Sequence, residues 1–389
     1  MFAPNGSLTG SIFYNPVKLI FGKDSTSKIG EEIASRGFKR VIITMGGASA
    51  LKNGSYQQSI DSLKANNVEV VAELRDIRAN PEVNKVREGV KLARENQAEA
   101  ILAIGGGSVI DSSKALSLGA FFDGDVWDVP RATPPVSKRL PIFTVLTISA
   151  TASEMNNGYV LQDDEKQLKV AYMHPDNFPT VSCIDPSFQT GLPWFQTVNG
   201  VVDAMVHTLE LYAGADGSEE TALQLDEGLL RSLVNCGHGL QKDPENYNLR
   251  ANVAWAATLA LNGYSGFSLR GGSWLVHMIE HALSAIDPAV AHGAGLGVLM
   301  PAVIEYLATK IGKKEVYDRW AKNVYGVDGY KAGMEAWVKD LKTWGHPTTM
   351  GELGFKKEQI PHIAKLVCDV GCPHGFTPED VAAVIELAF

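Results

Sequence analysis

A chain of 389 residues, 45% hydrophobic and 20% charged, has the length for two substantial cores and the composition of an ordered globular protein, which excludes a largely disordered or low-complexity polypeptide. A net charge of −9 with no long basic run excludes a surface built for nucleic acid or an anionic membrane. No stretch approaches about eighteen uninterrupted apolar residues, and the opening residues lack a basic segment followed by an apolar one, so the expectation is a cytoplasmic protein that neither spans a membrane nor is exported.

From about Val41 to Asp185, short β-rich runs alternate with amphipathic segments: VIITM at 41–45, VEVVAEL at 68–74, AILAIGGGS at 100–108, PIFTVLT at 141–147 and TVSCID at 180–185. Such alternation predicts a mostly parallel sheet covered by helices. Asn80-Pro81 followed by EVNKVREGVKLAREN predicts a helix with proline at its first position. The segments 158–162 and 168–174, around the polar loop QDDEKQ, predict a hairpin. From about Leu192 onward β-branched runs give way to Ala- and Leu-rich helical periodicity. The fold class expected is therefore an α/β nucleotide-binding domain over 1–188 and an all-helical domain over 189–389, with the break in DPSFQTGLP. Cys183 and Cys236 are isolated. The C-x3-C of Cys368 and Cys372, with His374 behind it, has no second pair to complete a zinc site, and free thiols are expected.

Within the first half, AILAIGGGSVIDSSKALSLGA reads as a buried strand, three glycines and a helix opening at Ser108. Gly105, Gly106 and Gly107 let backbone approach a pyrophosphate, whose charge is favoured by the free N–H groups of a helix start. The spacing is neither G-x-G-x-x-G nor a Walker loop. Asp111 and Lys114 lie one turn apart, suited to orienting this loop or to a helix-surface pair. After VIITM comes GGAS at 46–49. An acidic side chain near such a point binds ribose hydroxyls and repels a 2′-phosphate, but none follows here. Gly46 and Gly47 leave space, Ser49 can donate a hydrogen bond and Lys52 adds charge, which points to NADP with NAD as the alternative. Thr147, Thr151 and Ser153, in hydroxyl-rich chain after a strand, suit phosphate or ribose oxygens and equally suit a helix cap.

The second half offers metal ligands. Asp203 and His207 are four residues apart in a helical stretch, on one face, and His277, His281 and His292 follow. A carboxylate with imidazoles suits Fe²⁺ or Zn²⁺ better than Mg²⁺ or Ca²⁺. His277 and His281 are themselves four apart, so spacing does not choose between them. Glu280 does not directly follow the first histidine, which excludes a protease HExxH motif.

Taken together, GGGS-x2-D-x2-K, T-x3-T-x-SE, NG-x2-D-x3-H-x2-E, H-x3-H and H-G-x-G resemble the iron-containing (group III) alcohol dehydrogenases, nearest the NADPH-dependent butanol dehydrogenase and broad aldehyde reductase branch. The resemblance runs from NPVKLIFG to about Pro347. It implies a dehydroquinate synthase-like architecture with the active site between the domains, and a homodimer through the N-terminal segment. It also implies Asp203, His207, His277 and His292 as metal ligands, with His281 near the substrate. The interval from His281 to His292 is one residue longer than in several relatives. Coenzyme contacts map onto Gly47, Ser49, Gly106, Gly107, Ser108, Asp111, Thr147, Thr151 and Lys169. Read without the resemblance, Lys169 is a surface charge.

The function expected is hydride transfer between NADP(H) and a small, mainly apolar aldehyde or primary alcohol, with an Fe²⁺ or Zn²⁺ ion polarising the substrate oxygen and His281 relaying the proton. Trp255, Phe267, Trp274, Leu275 and Met278 are expected near the ligands, with Arg270 as the charged exception. A lyase of the dehydroquinate synthase type would need a cluster of Lys and Arg for its substrate. A polyol dehydrogenase of the glycerol type is the nearer alternative, but typically lacks a histidine at the position of His207. A non-enzymatic scaffold would have lost ligands or glycines, and both are present.

Overall fold

The computed structural model describes residues 12–269, 271–373 and 375–389. Its strands are β1 (Lys18–Phe21), β2 (Arg40–Met45), β3 (Glu69–Leu74), β4 (Ala100–Gly105), β5 (Ile142–Leu146), β6 (Gly158–Asp163), β7 (Leu168–Met173) and β8 (Val181–Ile184). The first-half helices are α1 (Ile29–Ala34), α2 (Ser49–Lys52), α3 (Ser55–Ala65), α4 (Val83–Glu95) and α5 (Gly107–Gly119). The second half contributes α6 (Trp194–Tyr212), α7 (Glu220–Lys242), α8 (Tyr247–Ala260), α9 (Leu275–Ile286), α10 (His292–Lys310), α11 (Lys314–Trp320), α12 (Tyr330–Thr343), α13 (Ile360–Asp369) and α14 (Pro378–Leu387).

Six strands form one all-parallel sheet in the order β1-β8-β5-β4-β2-β3, and β6 with β7 forms the expected antiparallel hairpin. A strand covered on both faces must be apolar on both, and β4, β5 and β8 are buried at every position. Side-chain alternation divides the core. Ile42, Ile101, Ala103 and Ile142 pack with Val86 of α4 and Leu116 of α5, while Ile43, Leu102, Ile104 and Phe143 pack with Ile33 of α1 and Leu63 of α3. Helices α6 to α14 enclose a separate apolar core. This is the α/β-plus-helical fold class expected. The sheet ends at Ile184 and α6 begins at Trp194, and no helix among the described residues is long and apolar enough to cross a membrane.

One strand is not anticipated by the sequence, and two local expectations are corrected. Strand β1 carries no strong sequence signal, because it is a four-residue edge strand with only partial burial. Helix α4 opens at Val83 with Glu82 as its cap; the Glu82 carboxylate accepts from Asn84 N and Lys85 N, so Pro81 stands outside the helix. Cys368 and Cys372 are joined as a disulfide instead of remaining free, since a C-x3-C across a helix end sets both sulfurs on one side. Cys183 and Cys236 are free and buried, and His374 lies outside the described residues.

The order of strands creates a crevice. From β2 the chain crosses by α3 to β3 on one side, and from β4 it crosses by α5 to β5 on the other, although β2 and β4 are neighbours. Open parallel sheets bind ligands where the direction of crossover reverses, beyond the carboxyl ends of the strands. Gly46 and Gly47 leave β2 there, beside Gly105, Gly106 and Gly107 leaving β4, with Thr147 following β5.

Candidate active site

The glycines after β4 are required by the chain itself. A Cβ on Gly106 would fall 2.1 Å from Ile148 Cγ2, and one on Gly107 would fall 2.4 Å from Thr151 Oγ1. They bring the loop 147–151 against the start of α5, whose capping residue Gly106 offers no side-chain bond to the first turn. By contrast, nothing lies within 4 Å of where a Gly47 Cβ would be. The open space at Gly47 and the uncapped start of α5 beside it fit a dinucleotide with its phosphates at the helix terminus.

Asp111 and Lys114 are buried inside the domain and do not form a surface pair. Asp111 Oδ1 accepts from Ser153 Oγ at 2.6 Å and Oδ2 from Val160 N at 2.9 Å. Lys114 Nζ donates to Ser153 Oγ, Asn156 Oδ1 and Gly158 O at 2.7–2.9 Å. Burial drives Lys114 down to about 8. Both carboxylate oxygens and the ammonium are committed to fixing the 151–160 segment, so Asp111 orients the coenzyme loop from within. Asp76, just past β3, was missed by sequence spacing; its N–H donates to Gly46 O at 3.2 Å, beside the proposed ribose position.

The metal-ligand candidates stand on three helices. Gly200 of α6 lies against the loop after β5, where a Cβ would fall 2.3 Å from Ser149 O. One turn further along α6 comes Asp203, and one turn beyond that His207. Helix α9 supplies His277, and His292 is the first residue of α10. Glycine again permits the approach: a Cβ on Gly293 would meet Asn199 O at 2.3 Å, and one on Gly295 would meet Glu280 Cγ at 2.8 Å.

Around Asp203 Oδ1 lie His207 Nδ1 at 3.3 Å, His277 Nε2 at 3.7 Å and His292 Nε2 at 3.8 Å. Four ligands about 2.1 Å from a tetrahedral ion are separated by about 3.4 Å, so these spacings fit one divalent cation. Asp203 Oδ1, His207 Nδ1 and His277 Nε2 are buried without any hydrogen-bond partner. Unpaired polar atoms at that depth are costly, and a cation between the three would satisfy them together. Among the described residues, Asp203, His207 and His277 converge as one group, and His292 stands with Glu280 and His281 in a second one beside it, joined to the first by the 3.8 Å from His292 Nε2 to Asp203 Oδ1; the His281 ring stands at 86° to that of His277, with centroids 6.4 Å apart.

Two carboxylates aim the rings. Glu210 Oε2 accepts from His277 Nδ1 at 2.5 Å, while its oxygens also take Val276 N, His277 N and Ser273 Oγ at the start of α9. Glu280 Oε2 accepts from His292 Nδ1. With Nδ1–H donated outward, each ring presents its Nε2 lone pair to the cage. Glu210 was legible as the acid seven residues beyond Asp203 on the same helix face, although its role was not read. Burial would raise the Asp203 carboxyl, but the surrounding imidazoles hold it at about 2. Burial drives His207 down to about 3 despite Asp203 beside it. Burial also opposes charge on His277, yet Asp203 and Glu210 outweigh it and raise the ring to about 9.

Of the apolar residues expected around the ligands, Trp274 is the one whose ring meets them, edge-on to His207 and His277 at 6.4 and 5.4 Å. Trp255 packs against Phe21 and Phe267 against Phe13, because the ends of α8 and of its following loop face the N-terminal segment. Leu275 and Met278 belong to the helical core, and Arg270 lies outside the described residues. Lys169 is buried and bonded to Asn80, Glu280 and Ser284, which overturns its reading as a surface charge.

Glycine-lined turns at the carboxyl edge of the sheet and a buried Asp/His cluster on the helices are features that fit an enzyme using a nucleotide coenzyme and a metal ion. Residues 16–186 match the family model for iron-containing alcohol dehydrogenase, and residues 197–389 match that for the C-terminal domain of the Fe-containing alcohol dehydrogenase family. The chain belongs to the iron-containing alcohol dehydrogenase family, and is an alcohol dehydrogenase or aldehyde reductase of that family. It is 34% identical to NADH-dependent butanol dehydrogenase A of Clostridium acetobutylicum, over 96% of this chain and 98% of the relative. It is 33% identical to an NADPH-dependent aldehyde reductase of Escherichia coli, over 94% and 93% of the two chains. The crystal structure of NADH-dependent butanol dehydrogenase A from Thermotoga maritima superposes with a TM-score of 0.91 at 40% identity, covering 97% of this chain and 98% of that one.

The cage yields a direct expectation. Metal-free protein titrated with Zn²⁺ or Co²⁺ gains stability by about 2.7 to 4.1 kcal/mol at a hundred- to thousandfold excess over Kd, read as a rise in Tm, and the Asp203→Ala variant shows no such rise. An equal rise in that variant places the ion elsewhere.

Proposed function

We propose that the chain interconverts small, mainly apolar aldehydes and primary alcohols with NADP(H) as the preferred coenzyme. The observation that carries the reading is the trio of unpartnered buried atoms on Asp203, His207 and His277, with Asp203 one turn along α6 from Gly200, which packs on the Ser149 carbonyl between Thr147 and Thr151. An Fe²⁺ or Zn²⁺ ion held by Asp203, His207, His277 and His292 supplies Lewis-acid polarisation of the carbonyl, and a nicotinamide coenzyme supplies the hydride. The chain's own residues do the rest. Gly47, Ser49, Gly106, Gly107, Ser108, Thr147 and Thr151 receive the coenzyme, and Asp111 fixes their loop. Trp274 covers the cage with an apolar wall. Lys169, the basic side chain at the edge of the cage among the described residues, already serves Glu280, which leaves it unsuited to a phosphorylated substrate and disfavours the lyase reading. The presence of His207 supports an alcohol dehydrogenase over a polyol dehydrogenase.

His281 is the proposed proton relay. It is buried, beside His277 and His292, and burial together with the Lys169 charge holds it well below the ordinary histidine range. A neutral imidazole can take a proton at one nitrogen as it gives one from the other. An NADH preference is the second reading. It is supported by Asp76 beside Gly46, whose carboxylate would repel a 2′-phosphate, and by the NADH dependence in the names of two relatives.

Three measurements test these assignments. With butanal, absorbance at 340 nm should show a higher kcat/KM for NADPH than for NADH, lost on chelation and restored by Fe²⁺ or Zn²⁺; a ratio below one selects the NADH reading, and no turnover by metal-replete protein with simple aldehydes removes the dehydrogenase assignment. His281→Ala should lower kcat by about 10²- to 10⁴-fold and change the shape of its pH profile; unchanged turnover and profile exclude the relay. The exposed Ile12, Phe13, Tyr14 and Phe21, next to or in β1, the edge strand of the sheet among the described residues, support a homodimer, which light scattering should register as twice the 41.9 kDa chain mass.

A further inference from the structure

Lys169 on β7 belongs to the nucleotide-binding half, yet two of its three partners stand on α9 of the helical half. Its Nζ donates to Asn80 Oδ1 at 2.9 Å, Glu280 Oε2 at 3.2 Å and Ser284 Oγ at 3.2 Å. An ammonium has three protons, and all three are engaged within the protein. The Lys169 and Glu280 side chains are 4% and 0% exposed. Glu280 uses the same Oε2 to accept from His292 Nδ1, and its Oε1 accepts from Ser284. Asn80 acts on the same ligand by a second route: its Nδ2 donates to Pro288 O and Val290 O, both at 3.3 Å, in the turn that delivers His292 at the start of α10. Gln162 of β6 adds a bond to Ser284 O at 3.1 Å.

We infer that Lys169 and Asn80 are positioning residues of the metal centre, reaching across the domain boundary to hold His292 through Glu280 and the 288–290 turn. This rests on the assignment of Asp203, His207, His277 and His292 as the metal ligands. A carboxylate with no exposed surface keeps its charge and place only while paired. Lys169 and Ser284 pair Glu280, and Glu280 in turn fixes the tautomer and direction of the His292 ring. The nucleotide-binding half therefore builds one corner of the metal site, and Lys169 serves that corner instead of the coenzyme.

The test uses the full-length chain stripped of metal, with Glu280→Gln, Lys169→Met, the double variant and Asp203→Ala. Co²⁺ affinity is measured by competition with a chromophoric chelator, the Co²⁺ visible spectrum is recorded, and NADPH and NADH affinities are measured by coenzyme fluorescence. Circular dichroism and Tm establish folding, and the double variant, which removes both charges together, replaces Lys169→Met if that one fails to fold. The expected result is a loss of Co²⁺ affinity of about 10- to 100-fold in each single variant, an altered spectrum, parental coenzyme affinities, and a double variant no weaker than the weaker single one, because both act through one contact. If folded Lys169→Met, or the double variant in its place, keeps the parental Co²⁺ affinity and spectrum, or loses coenzyme affinity instead, the inference is overturned. Asp203→Ala separates the two layers. Loss of Co²⁺ in that variant alone sinks only the positioning role, whereas retention of Co²⁺ there sinks the metal-site reading as well.

Discussion

A carboxylate buried among three helices sets the terms for the helical half. Asp203 is 2% exposed, and its Oδ1 has no hydrogen-bond donor, a condition no folded chain sustains cheaply unless a positive charge arrives. The three imidazoles reach it only because α6, α9 and α10 approach more closely than ordinary side chains allow. Gly293 lies on the Asn199 carbonyl and Gly295 on the Glu280 stem. The glycines of HGAGLG are thus the packing condition for bringing these imidazoles to the carboxylate.

The cage also has a direction. Glu210 on α6 aims His277 on α9, and Glu280 on α9 aims His292 on α10, so each helix carries the acid that orients the next helix's ligand. Glu210 does this from the start of α9, where its oxygens also receive Val276 N and His277 N and where the helix dipole favours a negative charge. One carboxylate thereby fixes both the entry of a helix and the ring that the helix presents.

The sequence makes legible whatever depends on local spacing. Short, continuous β-rich runs mark β2, β4, β5 and β8, and the i, i+4 interval puts Asp203 and His207 on one face. Spacing alone does not separate His277 from His281, because that choice depends on how α9 is rotated against α6, and α9 is placed by Glu210 from another segment. The surface reading of Lys169 and the surface-pair alternative for Asp111 fail for the same reason: a charged side chain reads as exposed until its partners, here Asn80, Glu280 and Ser284, or Ser153 and Val160, arrive from far along the chain. The triple glycine was read as a phosphate cradle. Its packing against Ile148 and Thr151 shows that the same residues are required before any ligand binds, so glycine count alone does not measure ligand binding.

Charge balance connects the two halves. Among the described residues, three buried carboxylates, Asp203, Glu210 and Glu280, surround the cage, and Lys169 is the one ammonium bonded among them. These groups together carry an excess of negative charge, which favours a cation between them. Without one, a proton on His277, raised to about 9 by Asp203 and Glu210, offsets part of that excess. A metal ion binding there would have to displace that proton. The Lys169 ammonium stands on β7, so the nucleotide-binding half supplies part of the charge that offsets the buried carboxylates of the helical half.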